Sequence, residues 1–242
     1  MASEHRAVKL PENSLSPIAR YMDFTKYVAM LSSGGLYFAR GRTLREIDPL
    51  EGSLPQGTIA VMRTRNELPG TPQGLIRFID TVNEQIRSEN LDSVLVNCWH
   101  MSDHESAAMW KVYTASPFGV AIQSTFQRLW DCLDGGTYIG AVQYIDFDSD
   151  VIEYDHEFVA FMHKRHVFRH EKEIRALKFE RRITPTTARG RTVNVDLSAL
   201  ILGVYVSPGA PDWYLDVVSA TTTTFGYKFP VQASRMDATP LW

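Results

Sequence analysis

The sequence predicts a single α+β domain. Strand-like runs alternate with helical runs, but they lack the regular strand–helix–strand rhythm of a parallel sheet. A length of 242 residues suits one large domain. Apolar residues at 44% and charged residues at 22% are ordinary for a soluble globular protein. We therefore expect residues 16–242 to form one domain, preceded by a flexible arm over residues 1–15.

Cysteine content and hydropathy indicate a cytoplasmic protein. Cys98 and Cys132 are too few for a disulfide framework, so free thiols in a reducing compartment are expected. No apolar run approaches the length of a membrane span, and the N-terminus has no signal-peptide core.

The chain opens with a predicted strand–helix–strand unit. Ile18–Met22 reads as a strand, and Asp23 is placed to cap the helix that follows. The apolar face of this helix comprises Phe24, Tyr27, Val28 and Leu31. Gly34-Gly35 ends the helix, and Leu36–Ala39 forms a second strand.

Residues 40–70 are rich in Gly, Pro and charge, which predicts a long functional or capping loop with little regular structure. The loop contains Asp48-Pro-Leu-Glu-Gly52. Thr71-Pro72 then begins a helix. Its apolar positions follow helical spacing at Leu75, Ile79, Val82 and Ile86.

Further elements follow from periodicity and capping signals. Strands are predicted at Asp92–Cys98, Gly119–Ser124, Tyr138–Phe147, Glu171–Phe179, Val193–Val195, Leu200–Val206 and Phe229–Ser234. Helices are predicted after the capping box Ser102-x-x-Glu105, over Phe126–Leu133, over Glu157–His166, and from Pro211 to near Gly226.

The charged strand after His170 is the strongest candidate for a site. Side chains alternate along a strand, so Glu171, Glu173 and Arg175 are predicted to share one face. Two interpretations remain open from spacing alone. One is an exposed edge strand with a mixed-charge ladder. The other is a catalytic face, on which one carboxylate works and its neighbours set its charge state.

Charge is unevenly distributed along the chain. Between His163 and Arg191 there are ten Lys or Arg against three Glu, whereas Phe126–Ala160 has eight Asp or Glu against Arg128 alone. Such asymmetry indicates either an anionic ligand or nucleic acid near the basic segment, or pairing between the two segments.

Metal and nucleophile motifs are weak. His163, His166 and His170 are spaced as metal ligands on one helix face, and Glu171 follows them. However, the strand predicted to begin near His170 takes the third histidine off that face. Cys98 lies in an apolar strand and is more typical of core than of a nucleophile.

Other catalytic signatures are missing from the sequence. It has no Gly-x-Ser-x-Gly elbow, no phosphate-binding Gly-rich Lys loop and no dinucleotide fingerprint. Trp99, Trp110 and Tyr113 form an aromatic group that suits either a core or the walls around a planar ligand.

Several motifs together resemble the bacterial and phage domain-of-unknown-function family twenty-nine seventy-one, over about Ile18 to Ser234. The motifs are Arg20-Tyr21, Leu36-Tyr-Phe, Asp48-Pro-Leu-Glu-Gly, Asn97-Cys-Trp-His, Glu105-Ser-Ala-Ala-Met-Trp-Lys-Val-Tyr113, Gly119-Val-Ala-Ile and Phe168 with Glu171-Lys-Glu-Ile-Arg175. The layout is similar to the ADP-ribosyltransferase fold of toxins and defence enzymes.

That resemblance implies a split antiparallel sheet with flanking helices. It places an Arg on the first strand, a Ser or Tyr on the second and a Glu-x-Glu on a late strand. Arg20, Tyr37 and the pair Glu171 and Glu173 occupy these positions. The second strand, Leu-Tyr-Phe-Ala, offers no Ser-Thr-Ser, which disfavours the arginine-modifying subgroup.

The resemblance also implies a set of roles. The expected catalytic residues are Glu173, Glu171 and Tyr37, and the expected cofactor-binding residues are Arg20, Tyr21, Trp99 and Arg175. NAD would be the co-substrate, no metal is expected, and the acceptor would be a protein or a nucleic acid. A toxin or anti-phage context is also implied.

Two other functions remain open from the sequence. One is a non-catalytic module that binds nucleic acid or protein through residues 163–191. The other is a metal-dependent hydrolase that uses His163, His166 and Glu171.

Overall fold

A large, mostly antiparallel sheet with flanking helices organises the chain. The computed structural model describes residues 1–66, 73, 75, 81, 84, 88–114, 117–180 and 187–237. The helix predicted from Thr71-Pro72 falls mostly outside these residues.

Eleven strands are described. They are β1 Pro17–Asp23, β2 Gly35–Arg40, β3 Val94–Met101, β4 Gly119–Thr125, β5 Thr137–Ala141, β6 Gln143–Ile145, β7 His163–Arg165, β8 Glu173–Phe179, β9 Gly190–Asn194, β10 Gly203–Val206 and β11 Val231–Ala233. Nine of them form the main sheet, in the order β11-β10-β4-β1-β3-β2-β9, with β8 paired to β3 and β5 paired to β8. β6 and β7 form a separate parallel pair.

The helices lie between these strands. They are α1 Phe24–Ser33, α2 Gly41–Leu44, α3 Gln56–Asn66, α4 Ala107–Tyr113, α5 Phe126–Cys132, α6 Leu197–Leu200 and α7 Asp212–Thr224, with residues 88–93 also helical. Short 3₁₀ helices occupy Val159–Met162, His166–Glu171 and Arg235–Asp237. No helix in the described ranges is long and apolar enough to cross a membrane.

The sheet splits along one edge of β3. At one end of β3, Met101 and His100 pair with Ile18 and Ala19 of β1. At its other end, Val96 and Leu95 pair with Ala39 and Arg40 of β2. Between these contacts β1 and β2 diverge, while the opposite edge of β3 pairs continuously with β8. The predicted α+β class and the expected split are therefore confirmed.

The opening unit has the predicted order. Asp23 occupies the N-cap position of α1 but makes no capping hydrogen bond. Its carboxylate instead lies 3.3 Å from Lys26 Nζ. Gly34 ends α1 in the left-handed region at φ 60°, where the absence of a Cβ avoids strain.

Apolar packing fixes both faces of the sheet. One core contains Tyr27 and Trp99, and the other contains Phe161 and Leu177. A third, smaller cluster joins α4 to β1, where the rings of Tyr21 and Trp110 meet edge-to-face with centroids 4.9 Å apart. This cluster positions α4 beside the split.

Four element predictions were wrong. Residues 40–70 contain α2 and α3 rather than a continuous loop. The predicted strand Tyr138–Phe147 is broken between β5 and β6, which belong to different sheets. The predicted helix Glu157–His166 is a 3₁₀ turn followed by β7. The predicted strand Leu200–Val206 begins with the last residue of α6, and β10 itself starts only at Gly203.

The predicted capping box was also wrong. Ser106, not Ser102, caps α4 by accepting a hydrogen bond from the Met109 amide. Glu105 instead accepts hydrogen bonds from Trp110 and from Ser234 and Arg235 near the C-terminus. Long-range pairing therefore outweighed the local signal.

Several of the first nine residues contact the sheet and the elements beside it. The Ala2 amide donates to the Trp130 carbonyl at 2.9 Å, and Lys9 forms an antiparallel bridge with Ala141. Ala2 and Val8 are buried. Part of the segment predicted to be a flexible arm, residues 2–9, thus packs on the rest of the fold.

Candidate active site

A cleft of about 660 Å³ opens where β1 and β2 separate. Six of the seven predicted site residues line it: Arg20, Tyr21, Tyr37, Trp99, Glu171 and Glu173. Tyr113, His100 and Cys98 line it as well. The cleft therefore collects residues from β1, β2, β3, α4 and the β8 region.

Arg20 is half-buried in this cleft and contacts the backbone of β2. Its Nη2 donates to the Tyr37 carbonyl at 3.3 Å. No carboxylate pairs with it among the residues that the structure describes. Burial lowers the pKa of Arg20, but a guanidinium stays protonated in proteins. Within the described part of the chain, the Arg20 charge is thus not paired to a carboxylate, although Glu171 and Glu173 line the same cleft.

Asn97 bridges β3 to β2 next to the split between β1 and β2. Its Nδ2 donates to the Tyr37 carbonyl at 2.8 Å, and its Oδ1 accepts from Trp99 Nε1 at 2.7 Å. The Asn97 side chain thus gives the Tyr37 carbonyl a hydrogen-bond donor in place of a backbone amide of β3. Tyr37 is 44% exposed at the mouth, whereas Trp99 is 2% exposed and contributes only a surface at the base of the cleft.

Tyr21 forms part of the wall next to α4. Its hydroxyl accepts a hydrogen bond from the Ser106 amide at 2.9 Å. Burial raises the pKa of Tyr21, so the phenol is neutral. The contact ties β1 to the N-terminus of α4, on which Tyr113 also faces the cleft.

Glu173 begins β8 and is buried against cations. Arg175 Nε lies 3.0 Å from its Oε1, and Lys164 Nζ lies 3.5 Å from its Oε2. The Glu173 amide donates to the Tyr144 hydroxyl at 2.9 Å. Burial acts to raise the pKa of Glu173, but Arg175 and Lys164 together lower it to about 2. Glu173 is therefore ionised at neutral pH.

The pKa of Glu171 shifts in the opposite direction from that of Glu173. Its Oε2 pairs with Lys164, and the Tyr113 hydroxyl donates to its Oε1 at a long 3.5 Å. Burial raises the pKa of Glu171 and the Glu173 charge adds to this rise, although Lys164 opposes both. A carboxylate with a raised pKa is a better proton acceptor than one held strongly ionised.

The predicted placement of Glu171 on the same strand as Glu173 was wrong. Glu171 ends a 3₁₀ helix, and Lys172 adopts φ 40° in the left-handed region before β8 begins. The two carboxylates still meet because both contact Lys164 of β7. Alternation was correct for Glu173 and Arg175, which contact each other directly.

Arg175 does not line the cleft, so its placement gives no support to the expected cofactor contact. Its side chain is 1% exposed. The guanidinium contacts Glu173 on one side and Glu51 on the other, with Nη1 2.6 Å from Glu51 Oε1. Its Nη1 also donates to the Phe161 carbonyl at 2.5 Å. Arg175 therefore contacts the Glu173 carboxylate from outside the cleft.

Sequence reasoning missed the polar contacts of three residues here, namely Glu51, Lys164 and Tyr113. Glu51 lay in a segment read as loop, and Lys164 lay in a segment read as helix. Tyr113 was considered only as an aromatic ring. The partners of Glu51 and Tyr113 lie 124 and 58 positions away, whereas Lys164 is only seven positions from Glu171 and was missed because its segment was predicted to be helical.

The histidines do not share a helical face. His163 is buried in β7 with its Nδ1 2.9 Å from the Val159 carbonyl, and His166 is exposed at the start of the next turn. Within the described part of the chain, no group of three or more His, Cys, Asp or Glu side chains is arranged to hold a metal ion. Cys98 contacts Glu173, and burial raises the pKa of its thiol far above the ordinary value.

Several cations of the basic segment are engaged within the protein. Arg165 pairs with Asp48, Arg189 with Glu46, and Arg191 with Glu180. Lys178 pairs with Asp134, which belongs to the acidic segment. The basic segment therefore pairs largely with residues 46–51 and with its own glutamates.

Comparison with known proteins gives one structural likeness. No family model and no curated protein matches the chain. A solved structure titled Thermus sp. 2.9 DarT in complex with ADP-ribosylated ssDNA is similar at 12% identity and a TM-score of 0.43. The similarity covers 95% of this chain and 97% of that one.

Proposed function

We propose that the cleft binds NAD and cleaves its nicotinamide–ribose bond, as an ADP-ribosyltransferase-like enzyme. One observation carries the proposal: a single cleft holds Arg20, which pairs with no carboxylate among the described residues, together with two carboxylates whose pKa values shift in opposite directions. Paired carboxylates with divergent pKa values are typical of acid–base chemistry.

The charges of the site suit NAD. Arg20 is available to bind the pyrophosphate by charge-assisted hydrogen bonds. Three buried carboxylates, Glu51, Glu171 and Glu173, face two cations, Lys164 and Arg175, which leaves one negative charge in excess when all five are ionised. That excess favours a cationic nicotinamide. The cleft volume also falls within the range of about 300–1,000 Å³ typical of ligand sites.

Bond cleavage would proceed through an oxocarbenium-like ribose. The C–N bond breaks with its electron pair leaving on the nicotinamide nitrogen, and positive charge develops on the ribose. Glu173, which is already ionised, stabilises that charge electrostatically. Tyr37, exposed at the mouth, is suited to stack on the nicotinamide ring.

Glu171 would act on the acceptor. As the acceptor nucleophile bonds to the ribose carbon, it loses a proton, and the raised pKa of Glu171 makes this carboxylate a suitable base. When no acceptor is present, water from solvent captures the oxocarbenium-like ribose and releases its proton to solvent, so that NAD is hydrolysed without help from Glu171. A toxin or anti-phage role follows only from the sequence resemblance.

Replacement of Arg20 by alanine tests NAD binding. We expect the dissociation constant for NAD to rise about 10–100-fold, as for loss of a charged hydrogen-bond donor. Turnover at saturating NAD should change little, because Arg20 contacts the phosphates in both ground and transition states. Calorimetric titration and nicotinamide release measure these effects separately.

The matched control is Arg6→Ala. Arg6 is a surface arginine paired with Asp155 and lies outside the cleft. It should leave NAD affinity unchanged. Equal affinity for NAD in Arg20→Ala and wild-type protein would remove Arg20 from the proposed site.

Replacement of Glu171 by glutamine separates transfer from cleavage. The substitution removes the base but leaves Glu173 ionised, so NAD hydrolysis should persist within about threefold while transfer to an acceptor falls about 10²-fold. Labelled ADP-ribose incorporated into macromolecules of a cell lysate measures transfer. Loss of both activities together would contradict the assigned division between the two glutamates.

A further inference from the structure

The segment Asp48-Pro-Leu-Glu-Gly52 lies behind the cleft and presents a buried carboxylate to Arg175. Glu51 is 3% exposed and does not line the cleft itself. Its two oxygens meet the Arg175 guanidinium at 2.6 and 2.9 Å. A buried bidentate pair of this kind has a fixed geometry.

Arg175 transmits that geometry to Glu173. Its Nη2 donates to Glu51 Oε2 at 2.9 Å and to Glu173 Oε2 at 3.0 Å. One planar guanidinium is thus shared between two carboxylates, and the Phe161 carbonyl holds it from a third side. The position of Glu173 therefore depends on where Glu51 holds Arg175.

The chain around Glu51 is constrained as well. Arg45 Nε donates to the Glu51 carbonyl at 2.8 Å. Gly52 adopts φ 66°, and a Cβ there would lie 2.5 Å from the Phe161 ring. Asp48, three residues earlier, pairs separately with Arg165 at 2.6 Å and does not contact Arg175. The segment is built to present Glu51 in one orientation.

We propose that Glu51 is a positioning residue, which holds Arg175 so that Glu173 points into the cleft. Its effect on turnover rests on the proposed function, whereas its effect on the charges of the cluster does not. Without the Glu51 carboxylate, Arg175 would be free to turn fully toward Glu173. A guanidinium paired to Glu173 alone would draw that carboxylate away from the developing positive charge.

The first experiment compares Glu51→Gln with Asp48→Asn. Each removes one buried carboxylate of the same segment from an arginine pair, but only Glu51 reaches the Glu173 network. We expect Glu51→Gln to lower kcat for nicotinamide release about 10–100-fold with KM for NAD nearly unchanged, as for a misplaced catalytic group. Asp48→Asn should keep kcat within about threefold even where its thermal midpoint falls.

A second variant covers the case in which Glu51→Gln does not fold. Glu51→Asp keeps the charge but shortens the side chain, so Arg175 and Glu173 should shift and kcat should again fall at constant KM. Equal kcat in Glu51→Gln, Asp48→Asn and wild type would overturn the proposal. Equal losses of kcat in Glu51→Gln and Asp48→Asn would also overturn it, because that outcome indicates only a structural role.

A readout without NAD separates this proposal from the enzymatic one. The groups that face the Glu171 carboxylate are Lys164, Tyr113, Glu173 and Arg175, with His100 on its backbone. Removing Glu51 strengthens the influence of Arg175 on the cluster, so the carboxyl titration of Glu171 should move to lower pH. Carbon-detected NMR titration of labelled glutamate measures it. An unchanged titration in Glu51→Gln overturns the positioning role, whatever the NAD assay gives.

Discussion

Glu173→Gln is expected to reduce nicotinamide release by about 10²–10³-fold, the scale of a lost electrostatic stabiliser. Glutamine keeps the size of the side chain but removes its negative charge. In the wild type the site keeps the Glu173 carboxyl ionised, with a pKa of about 2. NAD binding should change little, because phosphate and stacking contacts dominate the ground state. Turnover by nicotinamide release and affinity by calorimetry, measured on the same preparation, check both parts.

The matched control is Glu153→Gln, the same substitution at an exposed position. It should retain wild-type release. Thermal unfolding of both variants shows whether Glu173→Gln is folded. Full nicotinamide release by a folded Glu173→Gln would mean that the catalytic residue is misassigned.

Arg175→Met is expected to lower the free energy of unfolding by about 3–5 kcal/mol, as for the removal of one partner from a buried ion pair. The substitution leaves Glu51 and Glu173 facing each other in a buried site without the cation between them. Chemical denaturation at neutral pH measures the loss. A decrease below about 1 kcal/mol would indicate that the pair is solvated.

The pH dependence of that loss has a definite sign. In the wild type, the pKa of Glu173 lies below its ordinary value of 4.5, at about 2. Its contribution to stability is therefore present above pH 4.5 and is lost as pH falls toward 2. In Arg175→Met, burial and Glu51 should raise the pKa of Glu173, so acidification relieves the unpaired charge. The stability difference between the two proteins should shrink as pH falls from 7 to about 4.

The sequence was most informative where local chemistry decides the structure. The strand–helix–strand opening could be predicted because Gly34 must end α1 in the left-handed region and apolar spacing marks its buried face. Strand alternation alone predicted that Glu173 and Arg175 share one face of β8. Together with the resemblance, these signals pointed to Arg20, Tyr37 and Glu173, all of which line one cleft.

The sequence was least informative where a distant partner decides the structure. Glu51 pairs with a residue 124 positions away, and nothing in its Gly- and Pro-rich surroundings distinguishes it from a surface loop residue. Glu171 lies close to Glu173, as predicted, but for a different reason. The positive φ of Lys172 interrupts the strand, and Lys164 brings the two carboxylates together instead.

Nicotinamide release from NAD by the wild-type protein tests the central claim most directly. NAD labelled in its nicotinamide ring would be incubated with the protein, alone and with a cell lysate as a source of acceptors. The account predicts that free nicotinamide appears in proportion to protein and that the lysate accelerates its release. Absence of free nicotinamide under both conditions, from a folded protein at saturating NAD, would contradict it.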